Sequence, residues 1–244
     1  MSALLLDIGN SRLKWIWVPS LDAPLPAAQA LVHGGTPAMA VANIPLAAVD
    51  AVFIAHVTGA AHEAAIIEAV QQKFGRAPQF ARSSAECAGL KSAYAEATRL
   101  GVDRWLALLA QWTRARKAFC VASAGTALTF DAVDAQGQHL GGVIAPGLCA
   151  MIGATLGHTR FAVGDLGAGF EPGLGSNVEA CVRQGALHAA AGLLDRLSAR
   201  HPGTRVLAGG DAATLQPHLA DVWQIEPDLV LHGLSAWARL ASAS

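Results

Sequence analysis

An α/β chain of two similar lobes with a cleft between them is what this sequence predicts. Three observations carry the prediction. Apolar runs close on small polar turns in both halves of the chain, and stretches of helical character follow them. The order strand, polar turn, further strands, helices then occurs a second time, a weak self-similarity at about half the chain length. The join falls near Arg114 to Lys117, giving lobes 1–115 and 116–244.

The elements follow in order. "ALLLDIG" is a continuous apolar run closed by glycine, as a buried strand requires. "RLKWIWVP" alternates, with Leu13, Trp15 and Trp17 on one face and Lys14, Ile16 and Val18 on the other. The two make a hairpin around Gly9-Asn10. "PSLDAPLPAAQ" is proline-rich and reads as a loop. "AVDAVFIAHV" is a second buried strand, followed by an alanine-rich helix from Ala61 to Phe74 and a short strand in "APQFARSS". From Asp103 to Lys117 the spacing of Trp105, Leu108, Leu109 and Trp112 makes an apolar helical stripe. The pattern restarts with the strands "AFCVASAG", "TALTFDAVDAQG" and "QHLGGVIAPG". Helices over Leu148–Gly157 and Glu179–Arg200 follow, then the strand "TRVLAGG", a short helix, the strand "DVWQIEP" and a closing helix in "DLVLHGLSAWARLA".

Composition narrows the function. Only 14% of the 244 residues are charged, against roughly 25% in an average domain, which favours a well-filled core over disorder. The 17 basic and 18 acidic residues nearly cancel, so no nucleic-acid footprint is expected. Cys87, Cys120, Cys149 and Cys181 lie far apart without a CxxC pair. Three sit in apolar surroundings, so buried thiols in a reducing compartment are expected rather than disulfides. No basic leader and no apolar run near the ~20 residues of a membrane helix is present. A cytoplasmic protein without membrane partners is the expectation.

Three turns stand out: "DIGNS" (7–11), "SAGTA" (123–127) and "AGGDA" (208–212). Each follows an apolar strand and is rich in unhindered backbone N–H groups, which can cradle an anion. Their recurrence in both halves points to a nucleotide, although no Walker A loop and no GxGxxG occurs. Asp7 ends the first strand, where a carboxylate either supports the turn or helps hold hydrated Mg²⁺. Arg12 and Lys14 share a strand face and could touch phosphate. In "YAEATRLGVDRW" (94–105), Asp103 either caps a helix or takes a proton from an attacking hydroxyl; Arg104 could hold an anionic group. Tyr94, the one tyrosine, is either core or a hydroxyl donor. Ser176 or Asn177 caps the following helix unless its side chain reaches a ligand. His33, His56, His62 and His218 share no ligand spacing.

In order along the chain, "DIGNSRLK", "LGVDRW", "SAGTALTFD", "GGVIAPG", "GSNVEACVRQG" and "VLAGGDA" resemble the type III pantothenate kinases, of the acetate kinase/sugar kinase/actin-like superfamily. The resemblance covers nearly the whole chain, and its most specific part is the GxDR element after an upstream tyrosine. It implies two actin-like (ribonuclease H-like) lobes with a central nucleotide cleft. The implied activity is ATP-dependent phosphorylation of pantothenate to 4'-phosphopantothenate, the first step of coenzyme A biosynthesis. By this resemblance Asp7, Ile8, Gly9, Asn10, Ser11, Arg12, Leu13 and Lys14 bind ATP phosphates, with Asp7 at Mg²⁺, and Thr126 contacts ATP from the second loop. Asp103 matches the proton acceptor. Tyr94, Gly101, Val102, Asp103, Arg104 and Asn177 match pantothenate contacts, and a homodimer is implied. Ser123 stands where the family usually carries an aspartate that helps bind a monovalent cation, which leaves dependence on K⁺ or NH₄⁺ open. The rival readings are a kinase of another small hydroxyl substrate and a nucleotide-binding accessory or regulatory protein. Ser123 encourages the second, and the intact GVDR element argues against it.

Overall fold

The apolar run at the N-terminus forms β1 (Ala3–Ile8), every residue of which is buried except Asp7. In this computed structural model, residues 1–161, 164 and 169–242 are described. The chain divides into two compact units, Met1–Arg116 with Asp228–Ser244, and Lys117–Pro227.

In the first unit, β1 turns into β2 (Arg12–Val18), and β3 (Gln29–Val32) and the short α1 (Pro37–Ala42) follow. Next come β4 (Ala51–His56), α2 (Ala60–Phe74) and β5 (Gln79–Phe80). The sheet order is β3-β2-β1-β4-β5, with β1 antiparallel to β2 and parallel to β4. A two-stranded ribbon, β6 (Glu86–Cys87) and β7 (Leu90–Lys91), and a 3-10 turn (Ala97–Arg99) lead into α3 (Val102–Ala115).

Strand alternation gives the sheet two different faces. Leu4, Leu6, Ile8, Leu13 and Trp15 pack with Ile66, Val70 and Phe74 of α2; each such fully buried aliphatic contributes about 1.5–3 kcal/mol. Leu5 and Asp7 therefore point to the opposite face. Trp17 departs from the expected alternation: it belongs by spacing with Leu13 and Trp15, yet it is 39% exposed.

The second unit repeats the sheet. β8 (Phe119–Ala124), β9 (Ala127–Val133) and β10 (His139–Pro146) run antiparallel in sequence. Then come α4 (Leu148–Gly157), α5 (Val178–Ser198), β11 (Thr204–Ala208), α6 (Ala212–Leu215), a 3-10 turn and β12 (Gln224–Ile225). The order β10-β9-β8-β11-β12 is the order of the first sheet, and the fold is the expected duplicated α/β.

The sequence places residues 116–244 together, whereas α7 (Leu229–Ser242) belongs to the first unit. Its buried Leu229, Leu231 and Leu234 need an apolar partner, and α3 supplies it. Arg104 to Trp112 of α3 are buried without a break, because this helix is covered by more than one neighbour rather than along a single stripe. Phe53 of β4 meets Trp237 of α7 edge to face at 6.4 Å, so α7 lies on the Asp7 face of the sheet. At the crossing of the two helices a Cβ on Gly233 would stand 1.9 Å from the Leu106 carbonyl oxygen. Gly233→Ala is thus expected to lower stability by about 1–3 kcal/mol, the usual result of overpacking. A denaturant midpoint equal to wild type would show that α3 and α7 can part at no cost.

Two further expectations are corrected. Of the four free thiols only Cys120 is fully buried; Cys149 and Cys181 are exposed, since the apolar neighbours in their sequence line other faces of their helices. The stretch from residue 29 to 42 also contains β3 and α1, which were not foreseen. β3 is short and mostly exposed, so it carries little of the apolar pattern by which strands are read.

Candidate active site

The hairpin between β1 and β2 turns on Asn10-Ser11, and the Gly9 amide donates to the Arg12 carbonyl at 3.0 Å. His33 holds the turn from the side. Its Nδ1 accepts from the Gly35 amide at 3.2 Å, so Nε2 carries the proton and donates to the Gly9 carbonyl at 2.8 Å. Asn10, Ser11 and Arg12 are exposed, as groups meeting a ligand must be. Ile8 and Leu13 are fully buried in the core; within this motif they can offer backbone only.

On the other sheet face, Asp7 stands directly across from Lys14 in the antiparallel pair. Two helices begin near it. Asp103 is the second residue of α3, and the Asp228 carbonyl accepts the first helical bond of α7, from His232 N at 3.0 Å. Helix N-termini favour carboxylates, and those of α3 and α7 bring Asp103 and Asp228 within electrostatic reach of Asp7. Burial chiefly, then the charges of Asp103 and Asp228, push the Asp7 carboxyl up from 3.8 to about 7, against the opposing pull of Lys14. The Lys14 ammonium donates to Asp228 Oδ1 at 3.1 Å.

The GVDR segment is built around its aspartate. Asp103 Oδ1 accepts from the Arg104 amide at 2.8 Å, a bond within the first helical turn. A Cβ on Gly101 would lie 2.7 Å from that oxygen, so the carboxylate's position demands glycine two residues earlier. Arg104 is buried to 8% exposure, and its guanidinium donates to the Tyr94 hydroxyl at 3.1 Å. Ser83, itself buried, donates to the Leu100 carbonyl at 2.7 Å and so anchors the approach to this turn.

Beside these residues lies a cavity of about 440 Å³, lined by Gly101 and Val102 and by His56, Glu63 and Arg82. Glu63 accepts from Arg82 at 2.6 Å and from His56 at 2.8 Å, which holds its carboxyl below the ordinary range.

A profile of the type III pantothenate kinase family matches residues 3–200. The chain is 34% identical over 252 residues to the type III pantothenate kinase of Nitrosococcus oceani, covering 97% of this chain and 93% of that one. It is 35% identical over 250 residues to that of Xanthomonas axonopodis pv. citri, with both chains fully covered. The chain is a type III pantothenate kinase family member. Solved structures share its fold at lower identity. A Campylobacter jejuni protein described as a Baf family transcriptional activator aligns at TM-score 0.64 and 17% identity, over 99% of this chain and all of that one. The activator of 2-hydroxyisocaproyl-CoA dehydratase from Clostridium difficile, crystallised with bound ADPNP, aligns at TM-score 0.56 and 11% identity over 100% of this chain and 96% of that one. Both likenesses concern the fold alone.

The remaining family motifs of the pantothenate kinase chain lie in its second unit. Two of the three glycine turns meet there. The Asp211 amide donates to the Ala124 carbonyl at 3.0 Å, and the Gly147 amide to the Thr126 carbonyl at 3.1 Å. Gly209 combines φ +97 with a Cβ position 2.1 Å from the Ala124 oxygen, so no other residue fits. Thr126 is exposed on the turn, and Ser123 stands near the end of β8. Asn177, rather than Ser176, caps α5, its side-chain oxygen accepting from the Ala180 amide at 2.8 Å. That leaves its NH₂ group for a ligand. A larger cavity in this unit, about 880 Å³, is mostly apolar, with Ser176 and Asn177 on its wall. Asp7, Asp103 and the buried guanidinium of Arg104 are in the first unit instead.

Within the first unit, then, the structure brings Asp7, Lys14 and Asp103 into one electrostatic neighbourhood and joins Arg104 to Tyr94. Sequence reasoning missed His33 and Asp228. Asp228 had a signal, since "PDLVL" has a helix-capping aspartate before an apolar run; its partner, 214 residues away, left none.

Proposed function

We propose that this protein transfers the terminal phosphoryl group of ATP to the primary hydroxyl of pantothenate, giving 4'-phosphopantothenate. The observation that carries the reading is the joint placement of Asp7, Lys14 and Asp103 beside the Arg104–Tyr94 pair. Phosphoryl transfer asks a protein for position and charge neutralisation more than for covalent chemistry, and these groups supply both.

The amides of Asn10 and Ser11 and the Lys14 ammonium hold the ATP phosphates. Asp103 accepts the proton of the pantothenate hydroxyl as its oxygen bonds to the terminal phosphorus, and the bond from that phosphorus to the bridging oxygen breaks to release ADP. Arg104, steadied by Tyr94, pairs with the pantothenate carboxylate, and the cavity beside Gly101 and Val102 takes the acceptor.

Asp7 fits a Mg²⁺ site. Among the described residues no group of three metal-ligating side chains is assembled, and Mg²⁺ typically takes one or two carboxylates with water and phosphate completing its shell. The carboxyl of Asp7, reluctant to ionise because it is buried and lies near two other aspartates, would be favoured in its charged form by a cation. Bound there, Mg²⁺ would neutralise charge on the phosphates. Among the described residues no helix is long and apolar enough to cross a membrane, and the same reading carries a cytoplasmic homodimer.

The direct test is phosphorylation of pantothenate by the purified protein with Mg-ATP, with and without added K⁺ or NH₄⁺. Product is expected. Ser123 brings no charge to the place where a carboxylate would hold the monovalent cation, so turnover is expected without either ion. Strict dependence on K⁺ would show that hydroxyl and carbonyl oxygens suffice for that site. Absence of product with ATP still bound would move the reading to another hydroxyl acceptor.

A further inference from the structure

We propose that Asp228 is a positioning residue for the phosphate-binding ammonium of Lys14. The inference rests on the reading of Lys14 given above and adds a residue from the far end of the chain. A lysine ammonium ends a flexible four-carbon stem, and Lys14 is 31% exposed. Something must hold it at the strand end if it is to meet phosphate in one place.

The Asp228 carboxylate is suited to that task because it is itself fixed. Its Oδ1 accepts from Lys14 Nζ at 3.1 Å, and its Oδ2 accepts from the Ala28 amide at 3.1 Å. Only 17% of the side chain is exposed. Its backbone carbonyl starts α7, a helix that cannot shift easily while Leu229, Leu231 and Leu234 are fully buried. Lys14 thus sits between two aspartates, Asp7 across the hairpin and Asp228 at the helix start.

A merely structural role, tying residue 28 and the start of α7 to the sheet, would leave the same contacts. A double-mutant cycle separates the two. Asp228→Asn keeps the size of the side chain and an acceptor for Ala28 but removes the charge. It is expected to raise both the KM and the calorimetric Kd for Mg-ATP by about ten-fold, within the range of coupled neighbours, with the pantothenate KM unchanged. In a Lys14→Met background the same substitution should change neither constant further. If Lys14→Met alone leaves the Mg-ATP constants unchanged, the reading of Lys14 fails and this proposal falls with it. If Lys14→Met raises them but Asp228→Asn does nothing, or acts equally in both backgrounds, the positioning role alone is overturned. Should Asp228→Asn not fold, Asp228→Glu carries the test, since it keeps the charge and moves it by one methylene. A rise for Glu that vanishes beside Lys14→Met supports the proposal, and a rise that persists overturns it.

Discussion

Asp103→Asn is expected to lower turnover of pantothenate by about 10²–10⁴-fold, the usual contribution of a positioned general base, while Mg-ATP still binds. The substitution is a clean one here. Asparagine keeps an oxygen to accept from the Arg104 amide, the bond seen at 2.8 Å, so the first turn of α3 stays formed. It also fits the space above Gly101, where a Cβ would stand 2.7 Å from the same oxygen. What it loses is the ability to take a proton. Turnover measured beside calorimetric Mg-ATP binding decides the matter. Near-normal turnover would falsify the base assignment and leave Asp103 as a helix-start residue. Loss of both turnover and melting temperature would mark a mainly structural role.

Asp7→Asn should do two opposite things. Use of Mg-ATP is expected to fall steeply, because the carboxylate that fits the metal is gone. Without nucleotide or metal, the variant is expected to be more stable than wild type at pH 8. The sign follows from the raised carboxyl, at about 7 in the folded protein against 3.8 ordinarily. A group that binds its proton more tightly when folded penalises the folded state wherever it must ionise. That penalty is full above about pH 7, shrinks as the pH falls, and is absent below 3.8. At full size it is roughly 4 kcal/mol. Melting temperatures of both proteins at pH 8 and pH 5 provide the check: the gap should be wide at the first and narrower at the second. Equal melting temperatures at pH 8 would mean that Asp7 is well solvated and carries no such penalty. A site that is unstable until its ligand arrives is a common consequence of selection for activity.

Much of the fold was legible because burial leaves a periodic trace. β1, β4 and β8 are nearly wholly buried strands, and such strands appear as unbroken apolar runs wherever the chain is read. β3 and the small β6–β7 ribbon were illegible for the converse reason: they are short, and few of their side chains enter the core. The candidate site divides in the same way. The turn at Gly9 to Ser11 and the pairing of Gly101 with Asp103 are local, so residue type and spacing carry them. His33 looked inert in the sequence, because its role is a single bond to a carbonyl 24 residues away.

The sequence by itself determined two rounds of strand, glycine turn and helix, and with them the residues able to meet phosphate, metal and a hydroxyl acceptor. Those properties depend on short-range alternation and on backbone freedom, which neighbouring residues set. Only the tertiary structure decided that the last helix returns to the first unit, and that Asp228 thereby arrives beside Lys14 and raises the carboxyl of Asp7. The apolar face of α7 could be satisfied by any helix of matching shape. Its partner was settled by close contact at Gly233 and by the charge it brings to the sheet, terms that act through space and leave no periodic mark on the chain.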